Sequence, residues 1–365
     1  MLSIKTTSKQ STFEARSKST YKANMGKKIS MNDIARELNI SITTISFILN
    51  GKAKEMRISD KLAQRVLDYV KEKNYNPNTI GQSLRTGKSR IIGLVVEDIA
   101  DVFFASVARL IEEKAYKKGY KIIYCSTENN TKKTIELIRM LRGRNVDGYI
   151  ITPPKDIENE VDSLLSEGLP TVLFDRYFPQ METNYVGIDN YYGAKAAIEH
   201  LVKQQYRHIA FVTLDSGQTQ MTDRLRGYQA AIDDAGLVPH LLEVAYIAKP
   251  QKIVQQVIDY LTQNKNIDAI LFATNYLAIR GFEALKQKQL VIGEQIGVVA
   301  FDDHAFFKVF NPTISAVAQP MKELSEHLIE TLFKNLNAKG DQQITPVEIV
   351  LKPELIIRQS SIKTR

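Results

Sequence analysis

The sequence predicts an α/β protein built in two unlike parts: an N-terminal all-α helix-turn-helix head, then a larger, doubly wound body of two lobes. Three observations lead there. Positive charge is concentrated at the front: residues 1–90 carry 18 Lys and Arg against 7 Asp and Glu, a net of +11, whereas the remaining 275 carry 31 against 34. Three short amphipathic helical segments occupy residues 30–75. From Ile91 onward, short apolar strands alternate with helical stretches, the pattern of a parallel sheet covered on both faces.

Composition narrows the function classes. A chain of 365 residues exceeds one ordinary core. Its 44% apolar and 25% charged content is that of a soluble globular protein. No apolar run approaches the roughly 20 residues needed to span a bilayer, so no membrane partner is expected. The opening MLSIKTTSKQSTFEARSKST lacks the apolar core of a secretory signal. The single cysteine, Cys125, excludes an intramolecular disulfide and leaves two readings, a buried small side chain or a reactive thiol. Together these features predict a cytoplasmic protein.

Taken in order, residues 1–25 are polar, aperiodic and rich in Ser, Thr and Lys, and read as a disordered extension. Met25 is an alternative first residue. In the head, residues 26–75, Ser30 caps a first helix that Asp33 supports at its positive end, with Ile34, Ala35 and Leu38 on one face. Asn39-Ile40 makes a tight break. Ser41 caps a second helix with Ile45, Ile48 and Leu49 inward, stopped by Asn50-Gly51. Ser59 caps a third, whose Leu62, Val66, Leu67 and Val70 share helical spacing. Residues 76–90, NPNTIGQSLRTGKSR, form a polar linker able to fold on contact. The body, residues 91–365, offers candidate strands at 91–96, 121–126, 148–152, 171–175, 208–213, 269–274 and 296–301, with helices such as 105–118 and 191–204 between them. The change from one lobe to the next falls near Val186–Asn190.

The head's two short helices around a tight turn, DIARELNISITTISFILNG, suit a reader of the DNA major groove, and the basic excess supplies attraction for phosphates. Ser30 to Gly51 resembles the head of the lactose-repressor (LacI/GalR) family. The resemblance continues in order through PNTIGQSLRTGKS, DVFFASVARLIEEKAYKKGY, VGIDN, DRLRGY, FATN, VVAFDD and AVAQP, about 330 residues in all. It implies a two-lobed, periplasmic-binding-protein-like body, a homodimer on a double-stranded DNA operator, and a small sugar effector. The candidate DNA-contacting residues are Ser41, Ile42, Thr43, Thr44, Ser46, Phe47 and Asn50 on the second helix, with Leu84 and Arg85 in the hinge. Ile42 and Thr43 match the family's base-contacting positions, and Leu84 matches its minor-groove wedge. Phe47 stands where the family carries Arg, and its helical phase turns it outward; contact with a thymine methyl and packing on the head's own surface both stay open. Gly81 replaces the family's alanine, which makes the hinge helix costlier to form.

Other motifs fail on inspection. TGKS (86–89) lacks the first glycine of a phosphate loop and precedes a strand instead of following one. No GxGxxG follows Ile91, and five histidines without paired-ligand spacing indicate no metal site, so no cofactor is expected.

In doubly wound sheets, ligands bind beyond the carboxyl ends of the strands. Asp101, Phe103, Phe104, Asp175, Arg176, Arg224, Asn275 and Asp302 all follow predicted strands, and Gln319 lies in a crossover. Carboxylates, amides and arginines bond sugar hydroxyls, and aromatic rings cover the apolar face of a sugar ring. Each position resembles one used in ribose-type sugar-binding proteins, except that Asp101 replaces an asparagine. Taken singly, each Asp could instead be an N-cap or loop residue. The same carboxylates admit another class, a sugar-processing enzyme or a stand-alone sugar-binding protein. A glycosidase would need two carboxylates at a set separation, which sequence does not measure.

Overall fold

The computed structural model describes residues 29–73, 75, 87–246, 249–338 and 345–363. The predicted extension, most of the linker, and with it Leu84 and Arg85, lie outside them. The chain divides into two compact units, with the boundary between Gly87 and Lys88.

Three helices make the head: α1 (Met31–Leu38), α2 (Ile42–Leu49) and α3 (Asp60–Glu72). Ser30 and Asp33 form a reciprocal capping box at the start of α1, which satisfies two backbone donors that a helix end otherwise leaves bare. Asn39 ends α1 in the left-handed region (φ 50°), a conformation its short polar side chain tolerates. Ser41 and Ser59 cap α2 and α3, as their sequence positions predict. Gly51, at φ +73°, turns the chain after α2. Ile34, Ile45 and Val66, all fully buried, lock the three helices together. Leu67 departs from expectation. It is 43% exposed, because it sits one position past Val66 and α3 has a single packed face.

The body holds two six-stranded sheets. The first lobe contains β1 (Ile91–Val96), β2 (Lys121–Ser126), β3 (Gly148–Ile151), β4 (Thr171–Phe174), β5 (Asn184–Ile188) and, from the far end of the chain, β11 (Glu348–Leu351), in the order β11-β5-β4-β3-β1-β2. Its helices are α4 (Val102–Lys117), α5 (Thr131–Gly143), α6 (Glu158–Ser166) and α11 (Met321–Leu336). The second lobe contains β6 (Ile209–Asp215), β7 (His240–Ala245), β8 (Ala269–Phe272), β9 (Gly297–Phe301), β10 (Ser315–Ala318) and β12 (Glu354–Ile356), ordered β12-β10-β9-β8-β6-β7. It carries α7 (Asn190–Lys203), α8 (Thr219–Asp234), α9 (Pro250–Gln263) and α10 (Asn275–Gln287). The sheets are parallel throughout except where β12 runs antiparallel to β10. The lobes therefore share one topology, and the chain passes between them after β5, after β10 and after β11.

The strands are buried on both faces, which explains their unbroken apolar runs: β3, β4, β8 and β9 have no exposed residue. Ser89 and Arg90, placed in the linker by sequence, belong to the body instead. The Asp147 carboxylate accepts from Ser89 N at 2.7 Å and from Arg90 N at 3.0 Å. Cys125 is a buried small side chain in the first lobe, and burial raises its thiol pKa, which holds it protonated.

Candidate effector cleft and DNA-reading head

In the head, Ser41, Ile42, Thr43 and Asn50 are exposed on or beside α2, Ile42 being 44% exposed despite its apolar side chain. Thr44 is partly buried; its backbone N–H donates to the Ser41 hydroxyl at 3.0 Å. Phe47 is partly buried and outside the head's apolar cluster. Ser46 corrects the expectation. It is 7% exposed, and the Asn50 amide donates to its carbonyl at 2.7 Å and its hydroxyl at 3.3 Å. A small polar residue covered by its neighbour four positions on is a helix-packing element and is not presented outward.

The body's main cavity, 480 Å³, is lined by all nine residues that sequence placed at the ligand site. Both lobes contribute, in the places their shared topology makes equivalent. Asp175 follows β4 and Asp302 follows β9, matching positions in the two sheets. Each aspartate is in the left-handed region, at φ 67° and 69°. Such backbone costs on the order of 1–3 kcal/mol and persists where the surroundings over-determine it. Asp101 caps α4 through the Phe103 N–H at 2.8 Å and also lines the cavity. Phe103 and Phe104 pack edge to face with ring centroids 5.0 Å apart, and Phe174 backs both.

The second-lobe wall is organised by Arg224 of α8, which is 2% exposed. Its Nε donates to Asn190 Oδ1 at 2.8 Å and its Nη1 to the Ala273 carbonyl at 2.5 Å, with Asp302 Oδ2 3.6 Å away. The guanidinium lies 3.7 Å from the centroid of the Phe301 ring. Asp302 in turn accepts from Gln319 Nε2 at 2.6 Å. One close approach makes this reach possible. A Cβ on Gly227 would lie 2.2 Å from the Tyr191 carbonyl, so only glycine lets α8 approach α7 closely enough for Arg224 to meet Asn190.

The first-lobe wall is organised by Arg176, 4% exposed. Its Nη1 donates to Asn129 Oδ1 at 2.6 Å, its Nε is 3.3 Å from Asp175 Oδ2, and its Nη2 pairs with Glu97. Burial lowers the arginine's pKa to about 10. Burial also pushes the Asp175 carboxyl up to about 7; Arg224 opposes the shift and the neighbouring Asp302 and Asp101 add to it. Among the described residues, three hydrogen bonds bridge the lobes: Tyr246 O–H to Glu97, Gln220 Nε2 to Asp175 Oδ2 at 3.4 Å, and Tyr177 N to Thr219 Oγ1 at 3.4 Å.

Sequence reasoning missed Glu97, Gln218, Gln220 and Tyr246 among the lining residues. Glu97 directly follows β1 and was open to the strand-end rule. Tyr246 directly follows β7, a strand the sequence reading did not predict; Gln218 and Gln220 come from the start of α8 and become lining only once the lobes face each other. Among the described residues there is no cluster of three or more His, Cys, Asp or Glu able to hold a metal ion, and no helix long and apolar enough to cross a membrane.

Fold and cleft together define a ligand-binding body of the periplasmic binding protein-like class behind a DNA-reading head. Comparison with known proteins agrees in both parts: residues 198–361 match the periplasmic binding protein-like domain, and residues 30–78 match the bacterial regulatory proteins of the lacI family. The HTH-type transcriptional regulator RegA of Clostridium saccharobutylicum is 30% identical over 337 residues, 91% of this chain and 99% of its own length. The chain belongs to the lacI family and is a DNA-binding transcription regulator, a class of regulators and not of enzymes. The lac repressor dimer, solved bound to operator and the anti-inducer ONPF, has the same fold at 20% identity, with a TM-score of 0.80 over 92% of this chain and 100% of its own. A LacI transcriptional regulator from Alkaliphilus metalliredigens, solved with D-xylulofuranose, aligns at 24% identity and TM-score 0.66 over 74% of this chain and 98% of its own.

Proposed function

We propose that this regulator is a homodimeric repressor whose hold on its operator is set by a monosaccharide or sugar derivative bound between the lobes. The observation that carries the effector reading is the convergence of nine residues, eight placed after predicted strands and one in a crossover, on one 480 Å³ cavity. That volume lies within the range of roughly 300–1,000 Å³ usual for small-molecule sites. Phe103 and Phe104 supply an apolar aromatic wall for a sugar ring, and the carboxylates, amides and arginines around them supply hydroxyl partners. The D-xylulofuranose complex of a relative with this fold supports the ligand class. A dimer places two heads on two half-sites, as two-fold symmetry requires, and the dimeric lac repressor supports it. Ser41, Ile42, Thr43, Thr44, Phe47 and Asn50 would face the major groove, with Leu84 and Arg85 at the centre of the site. Effector binding draws the lobes together and changes the spacing of the hinges that carry the heads.

Asp302→Asn tests the reading. Asparagine keeps the side-chain shape and tolerates the left-handed backbone, so the fold is preserved while the charge is removed. Loss of a charge-assisted hydrogen bond of about 1.5–3 kcal/mol should weaken effector binding on the order of 10- to 100-fold. Operator affinity without effector should stay within a few-fold of wild type. Calorimetry for the effector and gel shift for the operator read the two separately. Unchanged effector affinity in the variant would remove the cleft from the proposal.

A further inference from the structure

The cavity is far from electrically balanced. Six carboxyl groups line it, those of Glu97, Asp98, Asp101, Glu128, Asp175 and Asp302, against the two guanidinium groups of Arg176 and Arg224; with Glu128 paired to Lys133 and Asp175 holding its proton up to about pH 7, carboxylates still outnumber cations. Arg176 is committed to protein acceptors at every nitrogen, and Arg224 at Nε and Nη1. The acceptors of Arg176 are Asp175 at Nε, Asn129 at Nη1 and Glu97 at Nη2. Arg224 is spread over Asn190, the Ala273 carbonyl and Asp302.

Glu97 is the residue that closes off Arg176. It comes from the first lobe, only 17% of its side chain is exposed, and Tyr246 of the second lobe donates its hydroxyl to it. Burial holds that phenol's pKa at about 12, so it stays a neutral donor and adds no charge. An anionic ligand group entering beside Arg176 finds its guanidinium already paired, and it would displace Glu97 into a space crowded with like charge.

A second observation is independent of charge. Two buried side-chain atoms on the wall have no partner: Gln218 Nε2 and Gln220 Oε1, on residues 5% and 4% exposed. They leave one donor and one acceptor waiting. A hydroxyl group both donates and accepts and can answer both. A phosphate dianion only accepts, and would leave the Gln220 oxygen facing an oxygen.

We infer that the effector is a polyol without any anionic group, and that Glu97 is the specificity-determining residue that refuses phosphate esters and sugar acids by reserving Arg176. This rests on the sugar-effector reading above and narrows it. Removing the Glu97 charge frees Arg176 for a phosphate while leaving the hydroxyl-binding wall in place.

The test uses matched pairs on the full-length protein: D-ribose with D-ribose 5-phosphate, D-glucose with D-glucose 6-phosphate, and D-fructose with D-fructose 6-phosphate. Thermal shift identifies binders, and calorimetry gives affinities. For at least one pair, the free sugar should bind wild type at least tenfold more tightly than its ester. Glu97→Gln should then narrow or reverse that preference by on the order of tenfold, the scale of removing one like charge at close range. Should wild type bind an ester as tightly as its free sugar, the inference falls while the sugar reading stands. An unchanged preference in Glu97→Gln, with circular dichroism showing an intact fold, removes Glu97 from the role. If no member of any pair binds wild type, both the inference and the sugar reading fail.

Discussion

Asp175 occupies an environment that works against its own charge. Its side chain is 9% exposed, and Asp101 and Asp302 lie close enough to raise its pKa further. The folded protein therefore holds this proton up to about pH 7, whereas an unfolded chain releases it near the ordinary carboxylate value of about 3.9. Between those values the native state binds more protons, so this group's contribution to stability falls as pH rises and is lost above pH 7. Asp175→Asn removes that titration and keeps an oxygen to accept from Arg176. In the absence of effector, the variant's melting temperature relative to wild type should be higher at pH 8 than at pH 5. Scanning calorimetry at the two pH values measures this difference, and an equal difference at both would show that Asp175 is ionised throughout.

The α7–α8 pair shows how an element sets the site. Gly227 allows the close crossing that brings Arg224 to Asn190, and an alanine there would drive its Cβ into the Tyr191 carbonyl. Gly227→Ala must move backbone, not a flexible side-chain tip, at a cost of about 1–3 kcal/mol or more. Melting should drop by about 2–10 °C, and effector affinity should weaken with it because Arg224 moves. Elements were also what the sequence disclosed best. The head's helices carried their caps in plain view at Ser30, Ser41 and Ser59, and strands buried on both faces announced themselves as apolar runs. Strands β5, β7, β10, β11 and β12 were not predicted as strands, and the reasons differ. His240–Ala245 is a sheet edge with alternating exposure, and Glu354–Ile356 is three residues long. Ser46 was misread because a buried serine and a groove-facing serine look alike until the Asn50 amide is seen covering it. Much of the cleft was legible from residues that follow predicted strands, although Glu97 was passed over; Tyr246 follows β7, a strand not predicted. Gln218 and Gln220 became lining only when one lobe faced the other, a relation no local pattern carries.

At the scale of the molecule, the body is one strand order used twice. The duplication accounts for the paired aspartates after β4 and β9; the arginines are not equivalent, Arg176 following β4 and Arg224 standing on α8. The body's completion depends on the end of the chain. Helix α11 lies against β3, β4, β5 and α4, and its Leu324, Leu328 and Leu332 are fully buried. A chain ending at Pro320 would lack α11 and β11, and its first lobe should lose a core face although most of its sequence is present. Hydrogen exchange should find β3 and β4 unprotected in that truncation and strongly protected in the full chain. Protected strands in the truncation would mean that the first lobe stands without its returning helix.

The three passages between lobes also dictate an order of events during synthesis. Residues 88–188 emerge from the ribosome first, yet the lobe they begin is not finished until residues 321–351 have been made. The second lobe, which begins later, has five of its six strands available before the first lobe has its last helix. A nascent chain must therefore carry an open sheet, with apolar surface awaiting α11, through the whole of second-lobe synthesis. Domains that close in sequence order escape that interval of exposure. In this protein the cleft between the lobes, which needs both walls, is the last feature to form, so under the proposed function a chain stalled before Met321 cannot yet bind an effector.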